Sequence, residues 1–466
     1  MSDVLRRSAV CGIAALGIAA GAVHAQELTS GPADRKDVSL TIYNNDLSLV
    51  RETRGIPLRR GAYRLRYEGV TSGIDATTVH LAGRGVRIVE QNYEYDLVSR
   101  DRLMQKYVGR DVSYRQPDGT LGRARLLAMN EGPVYEMGGK IVFDLPGPVV
   151  LDAIPSELSS HPTLVWTLEG DREGTQDVST AYLSGGISWR ADYVLLLDAT
   201  EKQGGLTGWV TLDNHSGASF ENAQLKLVAG DVNRVTPRMR QYAREAAMAM
   251  DMVAKPQFEE EAFFEYHLYT LQRRTDVRDR QTKQVLFFES DKVGVEKSYT
   301  FRAEPHYFMQ RFEPQAGSEH VNVTLRFANT KANGLGNPVP EGILRVYKQD
   351  SDGAAQFVGE NRVRHTPKDE TLEFAVGRAF DVVGEHEQMD FKQISDRVTE
   401  VSYRVKLRNH KTEKISVRVE ENFHGDWTIL ESSKPATKEN ARTASFVVDV
   451  AADAEAVLTY RVRITV

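Results

Sequence analysis

Two C-terminal stretches decide the fold: VSYRVKLR, Val401–Arg408, and LTYRVRIT, Leu458–Thr465. In both, apolar side chains alternate with polar ones, which places the apolar set on one face of an extended chain. The same period of two recurs in Val321–Phe327 and in Val38–Ile42. Such alternation is typical of antiparallel strands that bury one face and expose the other.

Turn signals separate these strands. They are Asn44-Asn45, Asp118-Gly119, Glu131-Gly132 and Asp352-Gly353. Short strands punctuated this way predict an all-β protein made of antiparallel β-sandwiches in several domains, with an Ig-like C-terminal domain. Met239–Lys255 contains strong helix formers and neither Gly nor Pro, so we expect one helical insertion around residues 236–258.

The chain has 466 residues, a length that favours about three domains. We expect an N-terminal β domain over residues 26–175, a middle β domain carrying the insertion over 176–310, and the Ig-like sandwich over 311–466. Residues 1–25 are assigned to a signal peptide.

That assignment follows from three features of the N-terminus. Arg6 and Arg7 precede an uncharged apolar run, Ala9–Val23, and small residues then lead to a cleavage site after Ala25. The sequence therefore predicts a periplasmic or secreted protein with no transmembrane span after cleavage.

Composition excludes several classes of function. The formal charge is −6, which argues against a nucleic-acid partner. The chain has one cysteine, Cys11, so it cannot form an internal disulfide, a cysteine-based zinc site or an iron–sulfur cluster. We predict no cofactor.

Several motifs, in order along the chain, resemble the bacterial DUF4139-domain family, whose function is unknown. They are LSLVR (47–51), EQNYEYDL (90–97), LSGGISWRADY (183–193), GWVTLDN (208–214), NAQLKLVAGDVNR (222–234), GLGNPVPEGILRVYK (334–348) and HTPKDE (365–370). The resemblance implies an exported, β-rich protein with a C-terminal sandwich domain. It implies no catalytic residue, because the family has no established reaction.

The first candidate site is His365 with Asp369 and Glu370. An imidazole and two carboxylates within six residues could ligate a divalent metal or supply a general acid and base. The alternative is a turn between strands that contributes only structural hydrogen bonds. We assign no metal ligand.

The second candidate site combines Trp189 and Arg190 with Asp231 and Asn233. An aromatic ring and hydrogen-bonding side chains of this kind could bind a glycan, although core aromatics beside strand-end turns have the same composition.

Two further strings have a weaker case as metal sites. His386–Asp390 lacks the second histidine of the zinc-protease motif, so we expect a solvated acidic turn there. Met248–Met252 places three thioethers at alternate positions, a set that could bind Cu(I) on a strand but diverges on a helix.

No local catalytic signature is present: the chain contains no G-x-S-x-G, no H-E-x-x-H and no phosphate loop. We therefore lean towards a non-catalytic envelope protein that binds or organises a protein or glycan partner. The alternatives are a hydrolase acting on glycans or peptides through a non-local active site, and a metal-binding protein.

Overall fold

The computed structural model describes residues 27–155, 158–230, 257–302, 311 and 319–466. It confirms the predicted fold class, an all-β protein of several sheets. The predicted signal peptide, nearly all of the predicted helical insertion and the methionine string at 248–252 lie outside the described residues.

The strands follow one another along the chain with few helices between them. In chain order they are β1 (Glu27–Ser30), β2 (Arg35–Tyr43), β3 (Leu47–Leu58), β4 (Gly61–Glu68), β5 (His80–Ala82), β6 (Val86–Glu94), β7 (Asp111–Arg115), β8 (Leu121–Ala128), β9 (Val134–Met137), β10 (Lys140–Val142), β11 (Val149–Val150), β12 (Thr163–Gly170), β13 (Gly174–Ser184), β14 (Ile187–Leu197), β15 (Gln203–Asn214), β16 (Phe220–Ala229), β17 (Phe258–Phe263), β18 (Tyr266–Leu271), β19 (Thr275–Val277), β20 (Gln281–Gly294), β21 (Glu296–Arg302), β22 (Glu319–Ala328), β23 (Gly342–Gln349), β24 (Ala355–Val363), β25 (Thr371–Ser395), β26 (Val398–Asn409), β27 (Ile415–Asn422), β28 (Asp426–Ser432), β29 (Ala436–Lys438), β30 (Thr443–Val450) and β31 (Ala454–Thr465).

Helices are short. The α-helix of the described part of the chain is α1 (Arg100–Lys106), and its N-terminus is capped by the Ser99 hydroxyl, which accepts a hydrogen bond from the Arg102 amide at 3.2 Å. Within the described ranges, 3₁₀ helices lie at Pro32–Asp34, Ala76–Thr78 and Lys331–Asn333.

The chain divides into two compact units. The smaller comprises Met1–Lys36, Thr53–Val70 and Leu81–Thr180, and the larger comprises Asp37–Glu52, Thr71–His80 and Ala181–Val466. The three-domain division expected from the sequence stays a prediction.

The smaller unit contains two sheets. One has the strand order β1-β4-β12-β6, and the other has the order β10-β9-β8-β7-β11. In the first, Trp166 is fully buried against Tyr67, with ring centroids 5.2 Å apart. In the second, Leu126 and Val112 pack with Met104 of α1 in a separate hydrophobic core.

The larger unit begins with a two-layered sandwich, which we call the middle sandwich. One layer contains β17, β18, β16, residues 37–43 of β2 and residues 47–52 of β3 in that order, and the other has the order β20-β15-β14-β23-β24. Trp189 on β14 donates its indole hydrogen to the Val228 carbonyl on β16 at 3.2 Å, and the rings of Tyr269 on β18 and Phe287 on β20 lie 5.0 Å apart. These contacts show that the two layers pack face to face.

The C-terminal part of the larger unit is a nine-stranded sheet with the order β28-β31-β26-β25-β22-β21-β27-β30-β29. Strands β30 and β31 are far apart in this order, yet the rings of Phe446 and Tyr460 stack with centroids 5.1 Å apart. The sheet therefore folds over on itself and encloses a sandwich core.

The two stretches that opened the sequence analysis are neighbours in this core. Val401 pairs with Val462, and Val405 pairs with Leu458, in an antiparallel register. All four side chains are fully buried, and each such burial stabilises the fold by about 1.5–3 kcal/mol.

Candidate functional site

The five-stranded layer of the middle sandwich has two chemically different faces. On β14, Trp189, Ala191 and Tyr193 are buried in the core. Arg190 and Asp192 alternate with them and therefore project from the opposite, outer face. The outer face combines charged and aromatic side chains, which makes it the best candidate for a binding surface.

Asp192 is the centre of a network of side-chain hydrogen bonds on this outer face. Its carboxylate accepts a hydrogen bond from the Arg345 guanidinium on β23 at 3.0 Å and from the Thr211 hydroxyl on β15 at 2.6 Å. The Asp192 side chain is only 7 % exposed. The hydrogen bond to Asp192 raises the pKa of Arg345 above its already high value, so the guanidinium stays positively charged.

A second ion pair on the outer face joins Arg190 to Asp213. Arg190 donates to the Asp213 carboxylate at 2.6 Å, and its Nε lies 3.4 Å from Asp192. Burial would raise the pKa of Asp213, but hydrogen bonds from Thr282 and Arg190 outweigh it and hold the pKa below its ordinary value. The Arg190 side chain is 51 % exposed, so one edge of its guanidinium faces solvent.

Trp209 lies beside this hydrogen-bond network. It pairs with Asp192 in the antiparallel register of β14 and β15, and it is partly exposed. Across the same layer, Tyr347 and Phe357 form an edge-to-face pair with centroids 5.6 Å apart, and Phe357 is 57 % exposed. The outer face thus carries aromatic side chains in the same layer of sheet as the paired charges.

We call Arg190, Asp192, Trp209, Asp213 and Arg345 the polar-aromatic face. Its charged groups are already paired with one another, so their positions are set before a ligand arrives. Such a face can stack a ring-shaped apolar surface on Trp209 and offer guanidinium and carboxylate atoms to hydroxyl groups.

The structure places the second predicted candidate site as follows. Trp189 is 3 % exposed and belongs to the core, whereas Arg190 lies on the polar-aromatic face. Asp231 and Asn233 lie outside the described residues. Trp189 and Arg190 therefore do not share a surface.

The first predicted candidate site is a turn. The His365 Nδ1 atom accepts a hydrogen bond from the Glu341 amide at 3.1 Å. Asp369 has a positive φ of 66°, and its amide donates to the Asn329 carbonyl, while the Asn329 amide donates to the Glu370 carbonyl. The backbone of this segment is held by Asn329, and the Asp369 carboxylate is 67 % exposed.

The expectation for His386–Asp390 was wrong. The segment lies inside β25 rather than in a turn, because it pairs with β26 along its length. The His386 side chain is 5 % exposed, and its Nε2 lies 3.1 Å from the fully buried Glu421 carboxylate. His386 also stacks on Tyr403, with ring centroids 4.4 Å apart.

Across the ranges that the structure describes, no three His, Cys, Asp or Glu side chains are grouped so that they could hold a metal ion. Within those ranges, no helix is long and apolar enough to span a lipid bilayer.

Comparison with protein-family models and with curated proteins finds no match to this chain.

Trp209 was not among the binding residues predicted from the sequence, although the sequence carries a signal for it. In the stretch GWVTLDN, Trp209, Thr211 and Asp213 alternate with Val210 and Leu212. A strand places the first three on one face, which assigns Trp209 to the polar side. Consecutive residues such as Trp189 and Arg190 must point to opposite faces of a strand.

Proposed function

We propose that this chain is an exported, non-catalytic envelope protein of the DUF4139 family that binds a surface glycan through the polar-aromatic face. The observation that carries the proposal is the position of Trp209, partly exposed beside the paired charges of Asp192 and Arg345. The signal-peptide pattern at residues 1–25 supports export.

The physical case for a glycan begins with its two kinds of surface. The C–H faces of a sugar ring are apolar and pack on an indole ring, while its hydroxyls need hydrogen-bond partners. In the register of β14 and β15, Arg190 belongs to the next residue pair but one from that of Trp209, on the same face of the sheet, and its side chain is half exposed. The polar-aromatic face meets both requirements within a single layer of sheet.

Rigidity supports the same proposal. The Asp192 carboxylate is 7 % exposed and accepts hydrogen bonds from Arg345 and Thr211, so it keeps its place without a ligand. A preorganised surface loses less entropy on binding than a mobile one.

Binding to a panel of envelope polysaccharides and peptidoglycan fragments tests the proposal. We compare the wild type with Trp209→Ala and with Phe380→Ala, a matched aromatic truncation at an 87 % exposed site. We expect at least tenfold weaker glycan binding for Trp209→Ala, as for a buried aromatic contact, and no change for Phe380→Ala.

Two outcomes would overturn the proposal. One is binding that Trp209→Ala leaves unchanged. The other is cleavage of a glycan or peptide in the panel without stable binding, which would favour the hydrolase alternative.

A further inference from the structure

The hairpin formed by β17 and β18 ends in two exposed phenylalanines. Phe263 pairs with Tyr266, so Phe264 and Glu265 form a two-residue turn between the strands. Phe263 is 52 % exposed and Phe264 is 85 % exposed. Single exposed apolar side chains are common, but two adjacent aromatic rings at the tip of a hairpin form a projecting apolar patch of the kind that marks an interaction site.

The backbone at the tip is strained. Phe264 has a φ of 58°, a value that two-residue hairpin turns require at their first central position and that glycine adopts most readily. The bulky phenylalanine side chain makes this conformation unfavourable. Because the Phe264 ring is mostly exposed, packing within the described part of the chain does not offset the strain. Such an outlier favours a role for the side chain in contact with another molecule.

The same hairpin is acidic. Residues 257–271 contain four glutamates and neither lysine nor arginine. Two of the glutamates, Glu261 and Glu265, are exposed on either side of the two phenylalanines. The complementary surface is therefore apolar and positively charged, whereas an anionic lipid surface would repel these carboxylates. We call residues 258–271 the acidic hairpin.

A surface with the complementary properties lies in the C-terminal sandwich. Strands β28 and β29 are the two outermost strands of its nine-stranded sheet, and a groove of 710 Å³ opens between them. We call it the edge groove. Its lining includes the apolar side chains of Trp427, Ile429, Pro435 and Ala436 and the positively charged side chains of Lys434 and Lys438. No carboxylate is among the described residues that line it.

The register of β29 directs Lys438 into the edge groove. Ala436 pairs with Phe446, and Lys438 pairs with Ala444, on the neighbouring strand β30. Ala444 and Phe446 are fully buried, and side chains directly opposite in an antiparallel pair lie on the same face. The Lys438 Nζ atom lies 4.9 Å from the centre of the Trp427 ring of β28. The groove thus holds a positive charge beside an apolar wall.

We propose that the acidic hairpin of one copy of the chain docks in the edge groove of a second copy. The two phenylalanine rings enter the apolar part of the groove, and the flanking glutamates face its two lysines. The hairpin does not occupy the groove of its own chain, since Phe264 is 85 % exposed. Because the two surfaces differ, the contact is head to tail and adds further copies unless it closes into a ring. It uses no residue of the polar-aromatic face, so it is independent of glycan binding.

Sedimentation equilibrium of the purified full chain tests the association. We expect the average mass to rise with protein concentration, and high salt to weaken the association because the contact pairs opposite charges. Phe264→Gly removes the ring and relieves the strained turn, so the variant should fold and should associate at least tenfold more weakly. Phe380→Ala is the matched control, since Phe380 is an exposed aromatic residue of β25, outside both surfaces. It should leave the association unchanged.

A mixing experiment distinguishes the head-to-tail contact from other kinds of association. Phe264→Gly keeps an intact edge groove, and Lys438→Glu keeps an intact acidic hairpin. Each variant alone should stay monomeric at concentrations where the wild type associates. An equimolar mixture of the two should form a dimer that adds no third copy, because only one functional hairpin and one functional groove can meet.

Three results would overturn the proposal. The first is a wild-type chain that stays monomeric at micromolar and millimolar concentrations. In that case, binding to phosphatidylglycerol vesicles that depends on Phe264 would assign the hairpin to a lipid surface instead. The second is association that both substitutions leave unchanged, and the third is a mixture of the two variants that stays monomeric.

Discussion

Glu201 supports a prediction with a defined pH dependence. It lies in the turn between β14 and β15, where its carboxylate accepts hydrogen bonds from Lys297 on β21 and from Lys348 on β23. Burial alone would raise the pKa of Glu201, but these hydrogen bonds and the two positive charges lower it from 4.5 to about 2. The folded protein is therefore stabilised by the ionised form.

Glu201→Gln removes that charge and preserves the size of the side chain. The difference between 4.5 and about 2 corresponds to about 3 kcal/mol of stabilisation. The side chain is 24 % exposed, so screening by water reduces the expected loss to about 2–3 kcal/mol. Because the folded pKa lies below the unfolded one, this contribution is complete above pH 4.5 and disappears as the pH falls towards 2.

Urea unfolding of wild type and Glu201→Gln measures this effect at about pH 7 and about pH 2. Since a chain with two compact units need not unfold in one step, hydrogen exchange of the Val295 amide, which donates to the Lys202 carbonyl at 2.7 Å, provides a local measurement. Glu431→Gln, at an exposed position, is the control. A difference in stability that is the same at both pH values, or below about 0.5 kcal/mol near neutrality, would show that the Glu201 carboxylate does not stabilise the fold in this way.

Two further predictions concern the buried core. Leu458→Ala should lower the free energy of unfolding by about 2–5 kcal/mol, because Leu458 is fully buried in the C-terminal sandwich. Val457→Ala, next to it but 41 % exposed, should have a free energy of unfolding within about 1 kcal/mol of wild type. Equal losses of unfolding free energy for the two variants, measured with urea, would contradict the assignment of Leu458 to the buried face of the strand and Val457 to the exposed face. Burial raises the pKa of Tyr193, Tyr269 and Tyr460 well above 10, so absorbance titration should show them un-ionised at about pH 11 until the chain unfolds. Because the pKa of each of these tyrosines is higher in the folded chain, their contribution to stability is complete below the unfolded pKa and is lost as the pH rises through the folded pKa. Ionisation of all tyrosines in the still-folded protein would show this prediction to be wrong.

The fold class was predictable because strand burial leaves a local trace. Val401, Val405 and Leu407 alternate with polar residues in the sequence, and the structure buries these three side chains completely. The four predicted turns also lie between consecutive strands, as at Asp352-Gly353 between β23 and β24. Both features depend only on neighbouring residues.

The candidate sites were harder to predict because they depend on distant residues. Asp192 and Arg345 form one ion pair although 153 positions separate them in the chain. The edge groove forms only because the nine-stranded sheet folds over and brings its two outermost strands, β28 and β29, to the same opening. His386 looked like part of an acidic turn because the burial of its partner Glu421, on another strand, leaves no signal in the local sequence.

Glycan binding at the polar-aromatic face is tested most directly by fluorine NMR of the protein labelled with 5-fluorotryptophan. The sequence has four tryptophans, so each resonance can be assigned with single Trp→Phe variants. On addition of an envelope glycan that binds, we expect the Trp209 resonance to shift and the resonance of Trp189, in the core, to stay in place. A glycan that binds and leaves Trp209 unmoved, or a full panel that moves no tryptophan resonance, would contradict it.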